Sequence, residues 1–249
     1  MPPQYFGLEK MLEPTFEYAA TYYLSSIWMG SDRKFTENLG DHRSLDEPGR
    51  LDETREFLVK AATDYSVVRG FKTGLEDLRL EHLRAMLQAS IRPNSDPEAI
   101  VAVSRLAESL RSFYGKKLIS AASKFLWFRY KSPVIIYDAL SYAGLKALGF
   151  TPDKRLFGDQ EKWYGEFTEE WRKRFQLKRV KIIEACDALK RFKKFTAAYA
   201  IEDSEFCAWV ESEWFRERVF DAFLIIHGWN ISAGNTKATE SPEYESTSN

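Results

Sequence analysis

The chain has 249 residues, 44% of them hydrophobic and 29% charged, with a net charge of −1; this fits a globular fold and excludes a collagen-like or wholly disordered chain. No run nears the roughly 18 consecutive apolar residues of a membrane span, and the opening MPPQYFGLEKMLEP lacks the basic-then-apolar order of a secretory signal, so a cytoplasmic protein with no membrane partner is expected. Cys186, Cys207, His42, His82 and His227 are scattered without ligand-pair spacing, so no zinc site, no iron–sulfur site and no cofactor is expected.

The elements read as helices almost throughout. FEYAATYYLSSIWMG (16–30) is an aromatic helix expected to stop at Gly30, and 31–50 reads as a polar, turn-rich loop of a length associated with function. LDETREFLVKAATDYSVV (51–68) has apolar residues at helical spacing and acids at its start. LEDLRLEHLRAMLQASI (75–91) carries leucines at 75, 78, 80, 83 and 87 and halts before Pro93. SDPEAIVAVSRLAESLRSFYG (95–115) opens on Asp96 as a cap candidate with Pro97 behind it, and closes on Gly115 in a left-handed terminus. Further helices are expected over about 117–130 and 139–148, the second closed by Gly149, and over 160–175, 177–199 and 204–228. SPVIIY is too isolated a β-branched run to build a sheet, so the fold class is all-α. One helical domain is expected over 1–230, its two lobes sharing a cleft, with a disordered polar tail over 231–249.

Charge is segregated along the chain. From Arg111 to Lys131 the basic residues Arg111, Lys116, Lys117, Lys124, Arg129 and Lys131 meet no acid, and from Arg172 to Lys194 ten Lys and Arg face only Glu184 and Asp187. Such segments read either as a phosphate-binding face or as solvated helix surfaces. On a wheel of the 117–131 helix, Leu118, Ala122, Phe125, Leu126 and Arg129 share one side. Lys117, Ser120, Ala121, Lys124, Trp127, Phe128 and Lys131 share the other. An amine among rings and cations is a candidate nucleophile, against the ordinary reading of a lysine that snorkels to solvent. Asp138 stands immediately before ALSYAGLKALG, an N-cap position that contributes about 1 kcal/mol by itself. The intervening KSPVIIY holds a proline and an apolar run that must be buried, which brings the Lys124 amine and the Asp138 carboxylate toward one another.

The order ASK, amphipathic helix, Pro-containing loop, IIYD and new helix resembles the catalytic region of the helix-hairpin-helix DNA glycosylases, on the branch built on the 8-oxoguanine DNA glycosylase fold. The resemblance covers about 110–148 and extends to FRERVFDAFL near the C-terminus, where Arg218 and Asp221 match an Arg and an Asp of that branch's last helix. In place of the superfamily's Leu-Pro-Gly-x-Gly hairpin the chain has SFYGKKLIS, where Lys116 and Lys117 supply charge for phosphate contact. The resemblance implies a bundle of about eight to ten helices, with Lys124 attacking the sugar and Asp138 as the catalytic carboxylate. It implies DNA contacts from Lys116, Lys117, Arg129 and Lys131, and a base pocket walled by Tyr23, Trp28, Trp127 and Phe128. The expected activity is excision of an oxidised purine, or of a modified base of phage DNA, from double-stranded DNA. It would be carried out by a monomer without metal, either with strand cleavage at the resulting abasic site where the lysine forms a Schiff base, or by attack of a water and base release alone where Lys124 only positions phosphate. The alternatives are a DNA binder of the same fold without chemistry and an all-α protein-interaction module.

Overall fold

The computed structural model describes residues 14–65, 76–115, 118–191 and 201–235, and every regular element among them is helical. Helix α1 (Phe16–Tyr22) starts where the Thr15 hydroxyl accepts from the Tyr18 N–H, and it does not stop at Gly30. It runs directly into a π-helical segment, Tyr23–Asp32, and then α2, Arg33–Leu39. Gly30 lacks a left-handed φ, and Phe35 and Leu39, one turn apart, are buried, so the first part of the expected 31–50 loop is helix instead. The rest of that loop is pinned to its neighbours, with the Leu45 N–H donating to Gln88 Oε1 at 2.7 Å and Arg84 donating to the Leu45 carbonyl at 3.2 Å.

Helix α3 spans Leu51–Asp64, and the expected continuation to 68 lies outside the described residues. Helix α4 is Glu76–Ala89, and α5 is Asp96–Tyr114, where Ser95 rather than Asp96 is the N-cap. Pro97 sits in the first turn and Gly115 takes the left-handed terminus at φ 70°. Helix α6 (Ile119–Tyr130) is buried on every side except at Ser120, so it has no solvated face. It packs against α2, α4 and α5. After α7 (Ala139–Ala147) and a 3₁₀ turn at Lys154–Gly158, one continuous α8 (Gln160–Leu189) replaces the two helices expected on either side of Gln176. The expected 204–228 helix is instead two, α9 (Asp203–Glu211) and α10 (Glu213–Asn235). They part at Ser212, whose extended backbone lets its hydroxyl accept from the Phe215 N–H. Helix α10 extends past the expected start of the tail at 231, and 236–249 lie outside the described residues.

Helices α7 and α10 approach more closely than side chains allow. A Cβ at Gly144 would collide with the Leu224 carbonyl, and one at Gly228 with the Leu140 carbonyl. Two glycines on facing helices therefore set the distance between α7 and the middle of α10.

Candidate functional site

The amine of Lys124 donates to Asp138 Oδ2 at 3.0 Å and to Ser120 Oγ at 3.2 Å. Asp138 caps α7, its Oδ1 accepting from the Leu140 N–H at 2.9 Å, and Ser141 completes a capping box. The loop between the two is fixed from three sides. Ser123 Oγ accepts from the Tyr137 N–H at 3.0 Å, Tyr164 donates to the Ile135 carbonyl at 2.5 Å, and Arg172 donates to the Pro133 carbonyl at 3.0 Å. With Val134, Ile135 and Ile136 buried between these anchors, the residue before the cap has one place to be. Asp138 is thereby delivered to the lysine one turn after the start of α6.

The lysine is 4% exposed, while the aspartate side chain keeps 28%, so the pair opens outward through its carboxylate. Burial pushes the Asp138 carboxyl up, but the Lys124 ammonium, the Leu140 N–H and Arg218 outweigh it and hold the group below the usual carboxylate range. Below the pair lies a buried polar network. Arg218 binds Asp221 on its own helix and reaches Asp32 at 3.3 Å, and Tyr65 donates to the other oxygen of Asp32. The face of the Tyr65 ring stands 5.4 Å from the Lys124 nitrogen. Burial pushes the Asp221 carboxyl up to about 6 against the pull of Arg218, and the Asp138 charge adds to the rise while Lys124 opposes it.

The chain matches no protein-family model, no curated protein and no solved structure.

The other expected site residues fall elsewhere. Tyr23, Trp28, Trp127 and Phe128 are at most 2% exposed and pack as core rings, not as walls of an open pocket. Trp28 lies against Trp209 and Trp214, Trp127 against Trp214, Phe128 against Phe35, and Tyr23 against Phe215. Arg129 does not face solvent either. Its guanidinium donates to the carbonyls of Leu39, Gly40 and Arg43, satisfying the C-terminal end of α2. Lys131 takes the left-handed φ of 58° at the end of α6 and lays its amine 4.3 Å from the Trp214 ring, where burial lowers its pKa. Lys116 and Lys117 lie outside the described residues.

Three cations of the basic run that follows Trp171 pair with acids that the linear sequence keeps far away. Arg172 pairs with Asp96 and Glu217, Arg179 with Glu213, and Lys190 with Glu211. Lys193 and Lys194 lie outside the described residues. An apolar groove of about 520 Å³ between α4 and α5, lined by Met86, Ile91, Pro93, Pro97 and Leu106 among others, includes neither Lys124 nor Asp138. Among the described residues no three His, Cys, Asp or Glu side chains gather as a metal site requires, and no helix is long and apolar enough to cross a membrane.

Tyr65, Asp32 and Ser123 enter the site without having been singled out in the sequence. Ser123 carried a readable signal, since a hydroxyl beside the lysine inside a buried helix needs a partner. Tyr65 and Asp32 carried none, because their meeting depends on tertiary structure and on π-helical winding.

Proposed function

We propose that the protein is a DNA glycosylase in which Lys124 is the nucleophile and Asp138 the carboxylate that assists it. The observation that carries this reading is the 3.0 Å contact between a buried amine on α6 and a carboxylate at the N-cap of α7, two groups 14 residues apart. An amine can attack only after losing a proton, and Asp138 is the acceptor within reach. The Lys124 nitrogen then bonds to the anomeric carbon of the flipped nucleotide, and the N-glycosidic bond breaks with its electron pair leaving on the base, which takes up a proton. Positive charge develops on the sugar as the bond stretches, and Asp138, ionised again once its proton has passed to the leaving base, stabilises it. The sugar ring then opens, the bond from the anomeric carbon to O4′ breaking as O4′ takes up a proton, and the resulting iminium makes the neighbouring proton acidic, so that its removal expels the 3′ phosphate and cleaves the strand. The buried rings around Trp28 and Trp127 serve this reading as the rigid core on which α6 is mounted rather than as the base pocket.

Borohydride trapping tests the reading on a panel of duplexes carrying oxidised purines, phage-type modified bases or an abasic site. The expected result is a covalent adduct that disappears in Lys124→Gln and is strongly reduced in Asp138→Asn. Base release that survives Lys124→Gln removes the lysine from the chemistry. Binding without release or adduct on any duplex leaves a DNA-binding protein without catalysis.

A further inference from the structure

The network beneath the Lys124–Asp138 pair is an expensive way to build a core. Asp32 is fully buried, and Arg218 is shared between Asp32 and Asp221, both carboxylates almost without solvent. Apolar residues of similar volume generally serve stability as well as or better than buried charges, so a role in stability alone does not explain this set.

The chain also adopts unusual winding to place Asp32. Tyr23 and Asp32 are nine residues apart, which at 3.6 residues per turn is roughly two and a half turns and would put them on opposite faces. The π-helical segment Tyr23–Asp32 has wider turns, a winding that is rare and concentrated at functional sites. It brings both side chains to the face that meets α10. There the Tyr23 hydroxyl donates to Asp32 Oδ2 at 3.4 Å, and the Arg218 guanidinium lies 5.3 Å from the Tyr23 ring centre.

The other carboxylate oxygen of Asp32 accepts from the Tyr65 hydroxyl. Tyr65 follows α3 as its C-cap, and its ring meets the rings of Phe128 and Phe35 at 5.2 Å and 6.4 Å. Its face stands 5.4 Å from the Lys124 amine, which also donates to Asp138 and Ser120. The amine is thus enclosed by a carboxylate, a hydroxyl and a ring, and the ring's position is set by Asp32. A lysine has a flexible four-carbon stem, and an attacking atom must be held near its target geometry.

We propose that Asp32 is a positioning residue for Lys124, acting through the Tyr65 hydroxyl to fix the aromatic wall against the nucleophilic amine. The proposal rests on Lys124 being the nucleophile. Asp32 touches neither Lys124 nor the reacting atoms; of its bonds to Tyr23, Arg218 and Tyr65 only the last leads to the amine, and a double-mutant cycle isolates that link.

The experiment is single-turnover borohydride trapping on an abasic-site duplex at saturating DNA, which bypasses the identity of the excised base. It compares wild type, Lys124→Gln, Asp32→Asn, Tyr65→Phe and the Asp32→Asn/Tyr65→Phe double variant, with DNA affinity and urea midpoint measured for each. Asp32→Asn and Tyr65→Phe are each expected to slow trapping by roughly tenfold to a hundredfold with DNA affinity unchanged. The double variant should be no slower than the slower single one, because both remove the same bond. Lower stability with a wild-type trapping rate in the folded protein would show a purely structural role and overturn the proposal. So would additive losses in the double variant. Should Asp32→Asn fail to fold, Tyr65→Phe decides alone, because it leaves the Asp32–Arg218 pair intact. A wild-type adduct lost in Lys124→Gln but undiminished in Tyr65→Phe defeats the positioning role only. No wild-type adduct defeats the lysine mechanism and the positioning role with it.

Discussion

Asp138 does two jobs with one carboxylate, and the jobs separate by substitution. As N-cap it accepts from Leu140, and asparagine caps a helix about as well as aspartate. As counter-charge to Lys124 it needs ionisation, which asparagine lacks. Asp138→Asn should therefore keep the cap but leave the buried Lys124 ammonium without its counter-charge, lowering the urea midpoint and lowering base release by roughly 10²- to 10⁴-fold, and Asp138→Ala should lose about 1 kcal/mol of stability in addition. Equal stability loss in both variants would mean that the ion pair, not the cap, dominates the fold. Asp221 permits a second separation, by pH. Its carboxyl is pushed up to about 6, so between about pH 4, where an unfolded aspartate titrates, and pH 6 the folded chain holds a proton that the unfolded chain has released. Stability from this group therefore falls as pH rises through that window and stays low above it. Asp221→Asn removes the slope, so urea midpoints at pH 4.5 and 7 should converge in the variant relative to wild type. Lys124 and Asp138 could be paired in advance because everything that joins them is local: a helix, a proline, a buried apolar triplet and a cap. Tyr65 and Asp32 could not, being joined across 33 residues, and the aromatic residues of α6 read as a face because periodicity cannot distinguish a face from a helix buried all round.

At the scale of elements, the α7–α10 contact determines whether the cap of one helix and the Arg218–Asp221 pair of the other act as one site. Gly144 sits where a methyl group would strike the Leu224 carbonyl. Gly144→Ala should cost about 1–3 kcal/mol through overpacking, read from the urea midpoint, and should lower the trapping rate of the folded protein by displacing Asp138. Unchanged stability would mean the two helices are free to part. This close approach was not legible from Gly144 or Gly228 alone, because a glycine inside a helical pattern reads as tolerated or terminating until the facing backbone is known. The same limit explains Gly30, expected to end a helix that instead passes through it. Ser212 is the opposite case: apolar periodicity runs across it unbroken, yet its hydroxyl starts a new helix. Gln176 was expected to divide α8 although nothing there breaks a helix, and the chain continues through it.

Over the whole molecule, the segregated charge of the sequence becomes a set of ties between distant elements. The all-helical architecture was legible because helical periodicity and caps are local, whereas the acids that pair with Arg172, Arg179 and Lys190 come from α5, α9 and α10 and were invisible along the chain. Arg172 shows what these ties support. It pairs with Asp96 at the start of α5, with the buried Glu217 of α10, and donates to the Pro133 carbonyl in the loop that delivers Asp138. Removing the guanidinium leaves Glu217 with the Ser132 hydroxyl at 3.1 Å as its remaining partner from outside α10. Because breaking one side of a buried pair costs far more than the pair contributes, Arg172→Gln should lower stability by about 3 kcal/mol or more. Burial already pushes the Glu217 carboxyl up even with the arginine in place, so without it the group protonates more readily and the penalty should shrink as pH falls. The double variant Arg172→Gln/Glu217→Gln should recover much of the loss at neutral pH, since the stranded charge is gone. Urea midpoints of the two single variants and the double variant at pH 5 and 7.5 measure both effects. A penalty that is independent of pH and additive in the double variant would show that Arg172 holds the molecule through Asp96 and Pro133 rather than through Glu217.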